Sequence, residues 1–419
     1  MHRFLLALFL VFIDGYCLAQ SPSLGAIRWD AYTGSNNSVG IQVEEALSPA
    51  KYHYRVPFFG IESDTGTVKI KGTTQAIVDK EIEYANFAGL DYWAFVWYES
   101  SSGLDAARKY YYTSSKKSLI DYCLIIESGR FKSLISIENL VLEFQDPSYF
   151  KVLNGRPLLY FLGYSGITAA DIDSLRAKSI RNGTGNPYLV ECRVDGNMSV
   201  VNDLHMDAFG MYATSWISHA SLYKDLALAD INQWNYVGKT LAKKVVPHIT
   251  TGWDTRPIHD HPLSWYTVVS ADDYVVSATP SDISNHINDA INWIKFNPTL
   301  AEANTILIYA WNEHVEGGWI CPTLSNYGYT DRIDTLHNRY AKPTSINKTE
   351  TNKTYLRAYP NPTSDKLVLN ITEKESWSIK NLSGIELLKG RGSDCDLSSL
   401  CSGIYLIRAE NQNVKVIKI

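Results

Sequence analysis

The sequence predicts an α/β fold, a (β/α)8 barrel followed by a small all-β sandwich domain, and three observations predict it. Between residues 24 and 339, eight short apolar runs alternate with helical stretches, the rhythm of a parallel sheet joined by crossover helices. Eight such runs in one large domain fit a closed barrel better than an open sheet. From 342 to 352 the composition turns to Lys, Thr, Ser and Asn, and short strand-like runs with glycine turns follow it.

The elements follow in order. Residues 1–19 read as a signal peptide: His2 and Arg3 precede an apolar run over 4–13, and Cys17-Leu18-Ala19 ends in a small residue that signal peptidase accepts. That run is too short to span a bilayer. The barrel takes residues 20–341, with predicted strands at 24–32, 90–98, 122–127, 157–162, 188–194, 208–215, 245–250 and 305–311. Helices are predicted over 74–88, 104–114, 169–178, 222–237 and 281–296. In the first of them Ile77, Glu81, Tyr84 and Ala88 share one side, the expected buried stripe. Residues 342–354 form a linker. Residues 355–419 form the sandwich, with strands at 367–371, 377–381, 386–389, 404–408 and 414–419.

Composition narrows the function. With 39 Lys and Arg against 44 Asp and Glu and no basic stripe, the chain does not call for a nucleic-acid partner. Its 11 Trp and 27 Tyr fall often at predicted strand ends, which suits a cleft that stacks sugar rings. Cys395 and Cys401 are spaced for a small surface disulfide in an oxidising compartment. Cys123, Cys192 and Cys321 stand singly, and the absence of a CxxC pair or His cluster gives no metal site and no cofactor. His248 is expected to be a satisfied polar residue facing the barrel interior.

In a barrel of this kind the strand-to-helix connections carry the chemistry. The predicted strands deliver Asp30, Trp97, Glu127, Glu191 with Arg193, Tyr212 with Trp216, and Trp253-Asp254-Thr255-Arg256 to that end. The strongest signal is Trp311-Asn312-Glu313-His314-Val315-Glu316-Gly317-Gly318-Trp319. Two carboxylates three residues apart suit glycoside cleavage, in which one acid protonates the leaving oxygen and the other acts as nucleophile or base. Burial and mutual repulsion would separate their proton affinities. Asn312 is placed to bind a sugar hydroxyl, and Trp311 or Trp319 to stack on a ring. Glu191 is a candidate third catalytic acid; Glu191 or Glu127 becomes the second carboxylate if the reaction is a conventional double displacement.

The segments Gly25-Ala26-Ile27-Arg28-Trp29-Asp30, Ala88-Gly89-Leu90-Asp91-Tyr92-Trp93-Ala94-Phe95, Gly252-Trp253-Asp254 and Trp311 through Gly318 resemble the WbsX-like and glycoside hydrolase family 99-like barrels. The resemblance implies a retaining, endo-acting α-glycosidase. In it Glu313 assists the sugar 2-hydroxyl as internal nucleophile, through an anhydro-sugar, and Glu316 is the acid/base. Gly-Gly-Trp-Ile-Cys-Pro after Glu316 departs from the better-known mannosidases of the family. The C-terminal region resembles the type IX secretion sorting domain of Bacteroidetes-like bacteria, on Tyr359-Pro360-Asn361-Pro362-Thr363, Ser402-Gly403-Ile404-Tyr405-Leu406-Ile407 and Lys415-Val416-Ile417-Lys418. That resemblance implies export by the type IX machinery, to the medium or the outer cell surface. The expected partner is a polysaccharide or oligosaccharide substrate and not a nucleotide-sugar donor. A sulfated glycan would use Arg28, Arg193 or Arg256 as anion contacts. The alternative is a catalytically inactive glycan-binding barrel, which keeps the aromatic platforms and lacks the facing acids.

Overall fold

The computed structural model describes residues 21–63, 66–193, 199–216, 219–267, 270–324, 331–340, 356, 358–359, 361, 363–381, 384–409 and 412–418. The expected signal peptide and linker lie outside them. The chain divides into two compact units, Met1–Lys342 and Pro343–Ile419.

Among the described residues of the first unit, eight parallel strands form the barrel: β1 Ser23–Arg28, β2 Tyr92–Val96, β3 Asp121–Glu127, β4 Arg156–Leu162, β5 Tyr188–Cys192, β6 Ala208–Gly210, β7 His248–Thr250 and β8 Thr305–Tyr309. They pair in sequence order, and β1 also pairs with β8. The ring closes between β6 and the approach to β7 through one bridge, Phe209 to Val245. The crossover helices are α1 Gln75–Ala88, α2 Ala106–Thr113, α3 Ile137–Glu143, α4 Ala169–Arg181, α5 Ser199–Asp203, α6 Tyr223–Asn235, α7 Pro280–Phe296 and α8 Asp331–Tyr340. α8 packs against both α1 and α7 and so completes the outer layer.

Strands covered on both faces explain the continuous apolar runs: every residue of β2, β5 and β8 is buried. The barrel floor is plugged by Tyr92, whose hydroxyl meets Tyr160 Oη and Thr305 Oγ1, each at 3.0 Å. Residue 25 must be glycine for this plug, because a Cβ there would lie 2.0 Å from the Tyr92 ring. Side-chain caps start several helices, with Thr168 and Asp171 boxing the start of α4 and Thr279 and Asp282 that of α7.

Three local expectations need correction. The buried stripe of α1 is Val78, Glu81, Ile82, Ala85 and Ala88, so Ile77 and Tyr84 lie off it. Glu81 sets this rotation by accepting from Arg28 Nη2 at 2.7 Å and from the Trp311 indole at 2.9 Å. β6 stops at Gly210, since beyond it Asp230 of α6 takes the Thr250 N–H at 2.8 Å in place of a strand partner. His248 is satisfied as expected, but by that helix residue, with Nε2 3.0 Å from Asp230 Oδ1. Sequence reading also missed the helix Ser38–Leu47 and the hairpin Gly60–Glu62 with Val68–Ile70, both inserted between β1 and α1. Their side chains form a small separate core around Tyr32, Val43, Leu47 and Val56.

In the second unit, β9 Ala358–Tyr359, β10 Lys366–Leu369 and β13 Asp394–Asp396 make one antiparallel sheet. β11 Ser376–Lys380, β12 Glu386–Arg391, β14 Gly403–Ala409 and β15 Gln412–Lys418 make another. Leu367, Leu369, Trp377, Ile379, Ile407 and Val416 fill its core. The expected disulfide is absent: Cys395 and Cys401 are both free thiols. Cys395 is buried in this core from β13, whereas Cys401 is exposed in the turn before β14.

Candidate active site

β8 ends at Tyr309, the Tyr309–Ala310 peptide is cis, and the chain doubles back in a short ladder that pairs Asn312 with Trp319 and Glu313 with Gly318. The Glu316 N–H donates to the Glu313 carbonyl at 3.2 Å, so one tight turn carries both acids. Gly317 has φ 89°, and a Cβ on it would lie 2.6 Å from the Asp254 nitrogen. A Cβ on Gly252 would lie 2.3 Å from the Gly317 carbonyl oxygen. This approach lets the Asp254 N–H donate to the Glu316 carbonyl at 2.6 Å. The Gly252-Trp253-Asp254 segment is therefore a clamp on the acid-bearing turn.

Each acid is held by tyrosine. The Tyr212 hydroxyl donates to Glu313 Oε1 at 2.8 Å. The Tyr309 hydroxyl donates to Glu316 Oε2, and the Tyr266 hydroxyl faces the same carboxylate and favours its charge. The Tyr212 and Tyr309 rings meet edge to face with centroids 5.6 Å apart, which makes the carboxylates they hold neighbours. Burial pushes the Glu313 carboxyl well above the usual carboxylate range, and the Glu316 charge adds to it against the opposing Tyr212 bond. Burial also raises Glu316, while Tyr309 and Tyr266 pull it down. Glu313 is 2% exposed, and among the described residues its Oε2 has no hydrogen-bond partner. Two neighbouring carboxyls held by neutral hydroxyls, with no cation among the described residues between them to offset the charge, disfavour double ionisation.

Around this pair stand several of the expected residues. Asn312 Oδ1 accepts the Trp29 N–H at 2.9 Å and its amide points to Asp30 at 3.5 Å, which ties β8 to β1. Asp30 is paired with Arg28 at 2.9 Å, yet burial outweighs that partner and raises its pKa to about 6. The Trp253 ring lies 6.1 Å from that of Tyr309. Burial works against the Asp254 charge, but Arg256, at 2.7 and 2.8 Å, and Arg55 outweigh it and keep the carboxyl below its ordinary range. Glu127 closes β3 and pairs with Arg130 at 3.1 Å; Arg130 also holds Glu99 and lies 4.3 Å above the Tyr98 ring. Trp216 is 46% exposed.

Other expected residues are not brought to the pair. Trp311 is fully buried with its indole on Glu81, and Trp319 is packed between His314 and the Arg332 guanidinium, so neither offers a face to a ligand. Trp97 lines a groove of about 590 Å³ with Arg108, Tyr112 and Tyr122, on the helix side of β2. Strand register gives Glu191 the face of Phe161 and Phe209, opposite to that of Tyr160, with Arg193 3.9 Å away. Arg193 itself lies over the Tyr164 ring at 4.3 Å. Arg28 and Arg256, the other suggested anion contacts, are each engaged by a carboxylate. Sequence reasoning missed Tyr309, Tyr266, Tyr98 and Arg55. Tyr309 was legible from strand phase, as it follows Thr305 and Leu307 in alternation; Tyr98 closes the predicted strand 90–98, Arg55 ends a short 3-10 helix, and Tyr266 sits in a loop with no periodic signal.

Fold and site together define a (β/α)8 barrel with a pair of tyrosine-bound carboxylates at its mouth. Residues 357–419 match the family described as secretion system C-terminal sorting domain. The chain therefore ends in a sorting domain that directs it through the type IX system to the extracellular space or outer surface. No curated protein sequence matches the chain. Among solved structures, a glycoside hydrolase-like protein superposes with a TM-score of 0.53 at 13% identity, over 77% of this chain and 95% of that one. The GH99 endo-α-mannosidase of Bacteroides thetaiotaomicron, in complex with bis-tris-propane, gives 0.49 at 15% identity, over 76% and 96%. A β-glucuronidase of Parabacteroides merdae gives 0.36 at 10%, over 84% and 48%. The first of these is a likeness of fold.

Proposed function

We propose that the barrel is a glycoside hydrolase acting outside the cell on a polysaccharide or oligosaccharide, with Glu313 and Glu316 as its catalytic carboxylates. What carries the reading is the turn that holds both acids, Glu313 buried and Glu316 half-buried, each hydrogen-bonded by tyrosine in place of a counter-cation. A pair that shares one proton supplies both an acid and a base at neutral pH.

The resemblance assigns a retaining, endo-acting reaction. Glu313 takes the proton of the 2-hydroxyl as that oxygen attacks the anomeric carbon, giving an anhydro-sugar. Glu316 gives its proton to the departing glycosidic oxygen, then takes one from the water that reopens the ring. Tyr212, Tyr309 and Tyr266 keep the carboxyls in place during both steps. Trp253 and Trp216 offer sugar contacts, and Asn312, Asp30, Glu127, Asp254 and Arg256 order the rim around them. One observation favours the reverse order of protonation. Glu313 is raised further above the carboxylate range than Glu316, whose charge Tyr309 and Tyr266 favour, so a proton shared by the pair favours Glu313. In that second reading Glu313 is the acid and Glu316 the nucleophile or base.

Replacing Glu313 or Glu316 by Gln abolishes the release of new reducing ends from a panel of algal, fungal and mammalian polysaccharides, with glycan binding retained. Cleavage that survives both single changes overturns the proposal. A wild-type protein that binds these glycans and cleaves none is the inactive binding barrel.

A further inference from the structure

We propose that Trp265 and Trp29 form a second sugar-binding position beside the acid pair, one that takes a neutral pyranose unit within a glycan chain. The proposal deepens the glycosidase reading and rests on it for the location of the cleaved bond. The connection from β7 to α7 is anchored on both sides of Trp265. Leu263 is buried in a small cluster with Ala46, Ile258 and Val315, and the Ser264 N–H donates to Gln42 Oε1 at 2.7 Å. On the other side Tyr266 packs against that same cluster, with its hydroxyl toward Glu316. Between these anchors Trp265 is 40% exposed, while Trp93, Trp311 and Trp319 are almost wholly buried. An indole held out by anchored neighbours contributes little to the fold.

Trp265 does not stand alone. Its ring meets that of Trp29 edge to face, with centroids 5.9 Å apart and planes at 65°. Trp29 is fixed in turn by its indole N–H, which donates to Tyr98 Oη at 2.8 Å. The two indoles make a rigid open corner, the shape that receives the C–H face of a pyranose ring while its hydroxyls stay in water. Charge selects the class: Arg256 is engaged by Asp254, and Arg130 by Glu99 and Glu127, so these guanidinium groups are already occupied and do not call for a sulfate or uronate. Trp265 is one residue from Tyr266, which faces Glu316, and the Trp29 backbone N–H donates at 2.9 Å to Asn312, the neighbour of Glu313. A sugar on the corner is thus one or two units from the reacting bond, and the substrate is a chain rather than a terminal residue.

The experiment uses the full chain with Glu313→Gln, so that nothing is cleaved, run in native gels containing yeast α-mannan, xylan, dextran or laminarin. At least one of these polymers retards it, and adding Trp265→Ala weakens that retention on the order of tenfold or more with an unchanged melting temperature. Retention unaffected by Trp265→Ala, no retention by any of the four, or retention only in a further gel containing the sulfated polymer carrageenan overturns the proposal. The glycosidase reading fails separately: a wild type that is retained through Trp265 and releases no reducing ends leaves the corner standing and removes the hydrolase. Conversely, a Trp265→Ala protein that cleaves the polymer with unchanged KM removes the corner and leaves the hydrolase.

Discussion

Glu313→Gln should stabilise the barrel at neutral pH, and the gain should vanish in acid. The side chain is 2% exposed, one of its oxygens has no hydrogen-bond partner among the described residues, and its charge is opposed by Glu316 and Asp30. Its folded pKa therefore lies above the unfolded value of about 4.3. Between those values the folded state holds more protons than the unfolded one, so stability is fully present below about pH 4.3 and falls as pH rises through the folded pKa. Each unit of elevation would cost about 1.4 kcal/mol. Glutamine keeps an oxygen for the Tyr212 bond and carries no charge to oppose. For a barrel of this size, each kcal/mol is roughly 1.5 °C in Tm. Melting curves of wild type and variant from pH 4 to pH 8 should differ by nearly nothing at pH 4, with a gap in favour of the variant that widens as pH rises toward 8. A difference that is independent of pH, or a variant that melts lower at pH 8, refutes the placement of a desolvated, like-charged carboxyl at this position.

Tyr212→Phe removes a hydroxyl donor to a carboxylate, worth about 1.5–3 kcal/mol, so the acid limb of the kcat/KM pH profile should move up by about one to two units; an unmoved limb separates Glu313 from that limb. Gly317→Ala adds about 1–2 kcal/mol of left-handed strain and about 1–3 kcal/mol of overlap with Asp254. Calorimetry should show the loss and turnover should fall with it, whereas native stability would mean the clamp is loose. Removing the residues after 342 should abolish delivery to the cell exterior and leave the barrel's melting and turnover intact, measured by fractionation and by reducing-end assay; a folded, inactive truncation contradicts that division of labour.

The barrel was legible because strands covered on both faces read as unbroken apolar runs, as at Tyr92–Val96 and Thr305–Tyr309. The acids were legible because Glu313 and Glu316 follow the last strand directly and precede two glycines. What the sequence hides is which way a side chain turns when a partner far along the chain decides it. Trp311 reads as a sugar platform until Glu81, 230 residues away, takes its indole, and the same carboxylate rotates α1 away from the Ile77 stripe. Trp97 and Glu191 were misplaced for a related reason, since strand phase at the barrel mouth depends on register across neighbours. Tyr266 offered no pattern at all, because its tie to Glu316 is made by a loop.

The ring of strands is fastened between β6 and β7 at a single point, where the Phe209 and Val246 amides each bond across the gap at 2.9 Å. A cylinder so joined has one lap where breathing starts, and hydrogen exchange at those two amides should outpace that of the other strands. Tyr212 leaves the lap two residues after Gly210, so any loosening there reaches the hydroxyl that steadies Glu313. The cleft is thus stiff on the side built from β8 and β1, and compliant on the side that carries this donor.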